Sequence, residues 1–206
     1  MRDSITRDAR LALDLALTVR HDGDGGVTDD LTEPSALTAW VRARPDAFPR
    51  PEHFVAGITH LTAVRDLRTA LRTLFAHAVR PARPSPADAA RLLPVTEALR
   101  RLNEAAARTP TVPVLDWAEG DGPVERRRPV PDCGHDPAAT LAQAAIGFLA
   151  GPDRERLRAC HAPRCVRYFL KEHPRQEWCR PSCGNRARVA RHHERHRRAG
   201  QGVPGT

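Results

Sequence analysis

The amino-acid sequence predicts a mainly α-helical chain, with an N-terminal helical domain that includes one short β-hairpin and a small C-terminal module. Aromatic residues make up only 4% of the 206 residues, so the core must be largely aliphatic. Alanine, leucine and arginine favour helices, whereas strands favour aromatic and β-branched residues, so the composition leans helical. Four of the five cysteines lie close together near the C-terminal end, which sets that end apart.

Helices are predicted wherever apolar residues recur every three or four positions. The predicted helices are 7–20, a short segment capped by Thr32 or Ser35, 52–79, 86–107 with Pro94 kinking it or delaying its start, and a segment from Asp136 to Gly151. The Gly- and Asp-rich run 21–30 is predicted to be a loop, and the Pro-rich run 81–86 a linker.

Residues 111–130 have a different pattern, in which two short extended runs flank a Gly-rich turn, and this pattern predicts a β-hairpin. Gly151 and Pro152 end the last helix of the N-terminal part where the charge balance also changes. We therefore predict a helical domain over 1–152, a module over 153–198 and a disordered tail over 199–206. Residues 1–150 are expected to fold without the module.

The positive charge is concentrated at one end of the chain. The net charge is +8, but residues 154–198 carry 14 arginines and lysines against four glutamates, a net of +10, and the rest sums to −2. A near-neutral body with one basic end indicates an anionic partner for that end. No stretch approaches the roughly 20 apolar residues of a membrane span, and no apolar signal-peptide core is present. We therefore expect a cytoplasmic protein without a membrane partner, in which structural disulfides would be rare.

The cysteine spacing predicts a tetrahedral site for one structural zinc ion. Two close pairs separated by 13 residues supply the four thiolate ligands, which are Cys160, Cys165, Cys179 and Cys183. The residues between the pairs are predicted to form a hairpin, with Phe169 and Trp178 as a small core around the metal. A module of this size cannot build a sufficient core, so metal binding supplies much of its folding free energy. Four sulfurs leave no open position, which favours a structural over a catalytic ion.

Other interpretations of these residues remain. The thiols could be free or paired in disulfides, or they could hold an iron–sulfur cluster. His161 or His173 could replace one thiolate as a ligand. Cys133, far from the cluster in sequence, is interpreted as a structural or bystander thiol, with a metal or redox role as the alternative.

The segment 178–186, WCRPSCGNR, resembles the CGNR zinc finger, which is named for its last four residues. Residues 156–160, the Cys165–Phe169 spacing and the basic run 187–193 fit the same pattern. Proteins with this finger usually carry an N-terminal ABATE domain, associated with stress-induced transcription regulation, and residues 11–18 resemble its opening signature. The signature departs from the family at Ala16 or Leu17, where asparagine is usual, and 171–174 replaces a short turn containing Asp and Ser. The resemblance implies a zinc-binding transcription regulator.

A strongly basic helix is predicted from Cys183 to about Arg198. Its arginines lie on nearly all faces, so it cannot be buried against an ordinary core, and we interpret it as a DNA-contacting element. The predicted nucleic-acid contacts are Arg180, Arg186, Arg188, Arg191 and Arg195. A solvated helix and an acidic protein partner are the alternatives. Asn185 and Arg186 could instead support the zinc loop, and Trp178 is interpreted as module core rather than a base-stacking platform.

Nothing in the sequence indicates an enzyme, because phosphate-binding loops, nucleophile signatures and His-Glu-x-x-His motifs are missing from it. Asp14, Asp29 and Asp30 are interpreted as helix caps or solvated residues. The first hypothesis is a DNA-binding transcription regulator whose N-terminal domain senses a small-molecule effector or forms a homodimer. The second is a protein-interaction module stabilised by zinc, and the third is an RNA-binding protein.

Overall fold

The computed structural model of the chain describes residues 5–22, 26–88, 91–118, 120, 122–130 and 136–200, and it confirms the mainly helical fold. Within these residues, the helices are Arg7–Ala16 (α1), Pro34–Arg42 (α2), Ile58–Ala78 (α3), Val95–Ala107 (α4), Pro137–Ala150 (α5) and Pro181–Gly200 (α6). The strands are Val19–His21 (β1), Val27–Asp29 (β2), Thr111–Asp116 (β3), Val124–Pro129 (β4), Leu157–Ala159 (β5) and Tyr168–Leu170 (β6). They pair antiparallel as β1–β2, β3–β4 and β5–β6.

Several element boundaries differ from the sequence prediction. Helix α1 ends at Ala16 rather than at residue 20, and strand β1 begins at Val19. The predicted loop 21–30 instead contributes to the hairpin β1–β2, so the N-terminal part has a second hairpin. Helix α3 begins six residues later than predicted, because a 3₁₀ turn at Pro51–His53 and the extended residue Gly57 precede it. Helix α2 is preceded by Glu33 in extended conformation, and neither Thr32 nor Ser35 is its N-cap.

Prolines and an aspartate set the starts of α4 and α5 as the sequence predicts. Helix α4 begins directly after Pro94, so this proline delays the helix rather than kinking it. Helix α5 is capped by Asp136, whose carboxylate accepts a hydrogen bond of 2.8 Å from the Ala138 N–H. The β-hairpin predicted at 111–130 is present as β3–β4, and its side chains Leu115 and Trp117 are each 66% exposed.

The core lies between α1, α3, α4 and α5. Helix α5 is apolar on most of its faces because α1, α3 and α4 all pack against it. Phe75 of α3 occupies the centre, with its ring edge-to-face against Phe148 of α5 and against Tyr168 of β6, both at 5.4 Å between centroids. The few aromatic residues of the chain thus include three that pack together in the middle of an otherwise aliphatic core.

The hairpin β5–β6 belongs to this same core. Leu157 and Tyr168 are each 1% exposed and Leu170 is 5% exposed, and all three join the cluster formed by the N-terminal helices. The core therefore crosses the boundary predicted at 152/153. This packing argues against the expectation that the N-terminal part folds alone, because removal of the hairpin would take the Tyr168 ring away from Phe75.

The acidic residues near the first hairpin form ion pairs. Asp29 accepts two hydrogen bonds of 2.6 Å from Arg68, whose side chain is only 7% exposed. Asp14 pairs with Arg44, and Asp30 pairs with Arg20. The interpretation of these aspartates as caps or solvated residues is wrong for Asp29, whose main role is to neutralise a buried guanidinium.

Two further predictions concern residues outside the described part of the chain. Cys133 is one of them, and the predicted disordered tail lies outside from residue 201 onward, since α6 extends to Gly200. Among the described residues, no helix has the length and apolarity needed to cross a membrane.

Replacing Tyr168 by Ala should lower the free energy of unfolding of the zinc-loaded protein by about 3–5 kcal/mol, because a large buried side chain leaves a cavity. Trp117→Ala is the matched control: this aromatic residue is 66% exposed, so its loss should change stability by less than about 0.5 kcal/mol. Urea unfolding followed by circular dichroism measures both. Equal effects of the two substitutions would show that the hairpin β5–β6 does not share the helical core.

Candidate metal centre and basic helix

The four clustered cysteines come from two structural units. Cys160 directly follows β5 and Cys165 lies shortly before β6, so the first pair sits in the loop of the hairpin. Cys179 precedes α6 and Cys183 lies in its first turn. The prediction that the residues between the two pairs form the hairpin is wrong, because β6 pairs with β5 across the first cysteine pair.

Backbone hydrogen bonds shape the loop that carries the first pair. The Cys160 N–H donates to the Arg167 carbonyl at 2.9 Å, and the Cys165 N–H donates to the Ala162 carbonyl at 3.0 Å. Arg164 adopts a left-handed conformation with φ of 60°, which reverses the chain within the loop. The extended ladder and the tight turn bring both sulfur atoms of the pair to the same site.

The sulfur positions fit a tetrahedral zinc ion. The four Sγ atoms lie within 4.8 Å of one another, and the Sγ–Sγ distances are 3.6 Å for Cys165–Cys179 and 3.5 Å for Cys179–Cys183. Zn–S bonds of about 2.3 Å in a tetrahedron place the sulfurs about 3.8 Å apart, whereas a disulfide requires about 2.05 Å. All four are free thiols, and His161 and His173 are exposed and outside the cluster. The donor set therefore fits one structural Zn²⁺ with four thiolate ligands.

Hydrogen bonds couple the protonation of the clustered thiols. Hydrogen bonds from Cys165 and Cys179 lower the pKa of Cys160 to about 2. The hydrogen bond with Cys160 raises the pKa of Cys165 to about 11, and hydrogen bonds with Cys160 and Cys165 raise the pKa of Cys179 above its ordinary value. One thiolate therefore keeps its neighbours protonated in the metal-free cluster. A bound dication stabilises all four thiolates together and links metal binding to folding.

A small apolar shell surrounds the sulfurs. Ala162 is buried in it, and Phe169 and Trp178 pack against the cysteines. A Cβ atom at Gly184 would lie 3.1 Å from Cδ1 of Trp178, so glycine at this position lets the first turn of α6 approach the indole closely. Trp178 is thus half-buried in the module, in the structural position that the sequence analysis favoured over base stacking.

Arg186 ties α6 to the first cysteine pair. Its Nη2 donates to Cys183 Sγ at 3.1 Å, and its Nε donates to the Pro163 carbonyl at 3.0 Å. A positive donor at a ligating sulfur stabilises the thiolate, and the second bond fixes the loop against the helix. Asn185 is exposed, and its side-chain oxygen accepts a long hydrogen bond of 3.4 Å from Arg188.

The remaining predicted nucleic-acid contacts lie on the surface. Cys183 and Ala187 are buried, and they define the inner side of α6. Arg180, Arg188, Arg191 and Arg195 are exposed, and so is Arg186. The structure thus places them on one element, with Arg180 just before it, and leaves their side chains accessible.

A buried polar network joins the metal module to the helical body, and the sequence analysis missed it. Arg72 of α3 donates to both carboxylate oxygens of Asp88, at 2.7 and 3.1 Å, and to the Val166 carbonyl at 3.2 Å. The Tyr168 hydroxyl donates to Asp88 at 2.7 Å, and the Ser85 hydroxyl donates to the Val166 carbonyl at 2.8 Å. Burial, together with the Asp88 charge, raises the pKa of Tyr168.

This network fixes the position of the first cysteine pair relative to the body, because Val166 directly follows the ligand Cys165. The side chains of Arg72 and Asp88 are only 5% and 7% exposed. Removal of either one would leave an unpaired buried charge and lower the free energy of unfolding considerably. The sequence gives no sign of this network, because Ser85 lies in the Pro-rich run that is predicted to be a linker.

The purified protein should contain one zinc ion per chain, and Cys179→Ser should lose it, because three thiolates close the site incompletely. The C-terminal module should unfold, but most of the helical signal in far-ultraviolet circular dichroism should remain, since α1 to α5 pack in a core separate from the cysteine cluster. Elemental analysis after dialysis measures the zinc content. Cys133→Ser is the control and should retain the ion, and full retention by Cys179→Ser would contradict the ligand assignment.

Arg186→Ala should weaken zinc binding by about 10–100-fold, because the substitution removes the donor to Cys183 and the bond to the loop. Competition with a chromophoric chelator measures this affinity. Arg188→Ala removes the same charge from the same helix but breaks only the contact with Asn185, so it should bind zinc like the wild type. Equal zinc affinities of the two variants would assign Arg186 no role at the metal.

Comparison with known families agrees with this geometry. The ABATE family, described as "Putative stress-induced transcription regulator", matches residues 9–152, and the CGNR zinc finger matches residues 156–196. A search of proteins of curated function gives no match. The first match covers well over half of the chain, and the second contains all four cysteines, which confirms the resemblance noted in the sequence. The chain therefore belongs to the ABATE family and also contains a CGNR zinc finger that binds one structural zinc ion.

Proposed function

We propose that this protein is a transcription regulator that binds duplex DNA through α6, and that the zinc centre holds this helix in position. The observation that carries the proposal is the exposed positive charge of α6. Arg188 contacts the amide oxygen of Asn185, and Arg191 contacts the Ala187 carbonyl at 3.4 Å. Both partners are neutral, so the charge of these guanidinium groups is available to phosphates.

The dimensions of α6 suit a DNA groove. A helix of 20 residues is about 30 Å long and about 10–12 Å across, and the major groove is about 12 Å wide. Helical spacing defines an outer face opposite Cys183 and Ala187. This outer face carries Asn185, Arg188, His192 and His196.

The side-chain types along α6 suggest which residues contact bases and which contact phosphates. Arginine reads guanine and asparagine reads adenine in the major groove, so Arg188 and Asn185 are the candidates for base contact. Arg180, Arg191 and Arg195 are assigned to phosphates, which position the helix without reading sequence. The bonds of Arg186 with Cys183 and Pro163 favour a positioning role for that residue.

The helical body is proposed to regulate the finger through α3. An open cleft of about 470 Å³ lies against this helix, and its lining includes Asp29, Arg65 and Arg68. Arg72 lies one turn beyond Arg68 and donates to the Val166 carbonyl beside a zinc ligand. A small effector in the cleft would therefore act within one helical turn of the contact that holds the finger. A regulator of this kind would work in the cytoplasm at the nucleoid.

The second candidate function is a protein-interaction module. It is favoured by the hairpin β3–β4, where Leu115 and Trp117 are each 66% exposed and Val124 is 50% exposed. Exposed apolar side chains of this size are typical of contact surfaces, for a homodimer or for another protein. RNA binding has less support, because Trp178 is half-buried and offers little surface for base stacking.

Duplex binding across a salt series tests the proposal. If about five phosphates are neutralised, the slope of log affinity against log salt should be about −4.5. Replacing one phosphate-contacting arginine, as in Arg191→Ala or Arg195→Ala, should reduce that slope by about one unit. Arg188→Ala should cost about 1–3 kcal/mol at one base position if it reads a base.

Arg100→Ala is the matched control, since it removes one exposed charge from α4, where Arg100 pairs with Glu97 and Glu104. It should leave the slope unchanged. Binding that vanishes at physiological salt, without a preferred site in a random-oligonucleotide selection, would count against a DNA-binding regulator and favour the protein-interaction module.

A further inference from the structure

Two histidines on the outer face of α6 have their ring nitrogens side by side. Nε2 of His192 and Nε2 of His196 are 3.1 Å apart, and the ring centroids are 4.3 Å apart. Both side chains are exposed, and neither contributes to the four-cysteine cluster. Residues four apart on a helix are neighbours on one face, so the backbone keeps this pair together.

From this arrangement we infer that His192 and His196 form a second metal site, which binds one divalent late first-row transition ion such as Ni²⁺, Cu²⁺ or Zn²⁺. Imidazole nitrogens bind such ions at about 2.0–2.1 Å. Two nitrogens on one ion are then about 2.9 Å apart at a right angle and about 3.3 Å apart at the tetrahedral angle. The observed 3.1 Å lies between these values, so the pair can chelate an ion without rearrangement of the helix.

The new site differs from the zinc centre in its coordination. The His192–His196 pair starts nine residues after Cys183, about 13 Å further along the helix. Two nitrogens leave several positions of the ion open to water or to an oxygen of another molecule, whereas four thiolates leave none. Arg188 and Arg195, one turn to either side of His192, repel a cation, so the site binds more weakly than the cysteine cluster.

An ion at this site would add two positive charges to the outer face of α6. If that face contacts DNA, which rests on the proposed function, a phosphate oxygen can fill an open position on the ion. Metal and duplex would then strengthen each other's binding by the same factor, because the linkage between two ligands is reciprocal.

Nickel titration of the untagged, zinc-loaded full chain tests the site without DNA. Calorimetry and equilibrium dialysis with elemental analysis should show one nickel ion bound per chain while the zinc content stays at one. His192→Ala and His196→Ala should each lose this nickel ion, because one imidazole no longer chelates. His193→Ala is the control and should keep it, since His193 is adjacent in sequence but turned to another face, with its ring centroid 6.0 Å from that of His192.

Nickel binding that is unchanged in both His192→Ala and His196→Ala, or that is undetectable in the wild type, would overturn the site. A separate arm measures duplex affinity with and without nickel, and an increase in the wild type that is lost in His192→Ala supports the placement of the ion at DNA. Nickel binding without any change of duplex affinity would overturn that placement. Failure of all duplex binding would reject the proposed function, while the titration without DNA still decides the metal site.

Discussion

The buried guanidinium of Arg72 is the contact on which the arrangement of body and finger depends. It donates to the Ala16 carbonyl at the end of α1, to Asp88 in the segment before α4, and to Val166 beside a zinc ligand. A buried charge is tolerated only when its hydrogen-bonding capacity is filled, so three distant segments are held in fixed positions around one side chain. Tyr168 closes the network from the finger side by donating to Asp88 and by packing its ring against Phe75.

Because this network holds the first cysteine pair on the helical body, the zinc ion connects α6 to that body. Small zinc modules usually depend on the metal for their entire fold. Here the hairpin β5–β6, the first half of the finger, packs into the helical core through Leu157, Tyr168 and Leu170. The second half, α6, reaches the rest of the protein through the cysteine cluster, the packing of Trp178 on Gly184 and the bonds of Arg186. The metal therefore connects two parts: a hairpin that belongs to the body, and a basic helix that does not.

Short-range chemistry accounts for what the sequence predicted. The cysteine spacing is set by two tight turns, the helices follow from apolar periodicity, and Pro94 starts α4 because its ring excludes an earlier helical turn. The network around Arg72 was not predicted because its contacts join residues 13 to 94 positions apart. In sequence, nothing distinguishes Arg68 and Arg72 from other arginines beside the apolar stripe of α3. Only the three-dimensional structure shows that they pair with Asp29 and Asp88. The strand pairing of the finger was missed for another reason. Strand β5 has only three residues, which is too short for a recognisable alternation of apolar and polar side chains.

The structure divides the arginines into two groups that composition alone cannot distinguish: those paired with carboxylates and those that face only neutral groups. Outside α6, Arg68, Arg72 and Arg156 face carboxylates at 2.6–2.8 Å, and these carboxylates neutralise their charges. On α6, Arg188 and Arg191 face neutral oxygens at 3.4 Å, and Arg186 faces a sulfur of the metal site. A guanidinium already paired with a carboxylate gains little from a phosphate, whereas one that faces only neutral groups exchanges water for a charged partner. Arg188 and Arg191 therefore keep positive charge that is not neutralised by a carboxylate, on a helix whose first turn contributes Cys183 to the metal cluster.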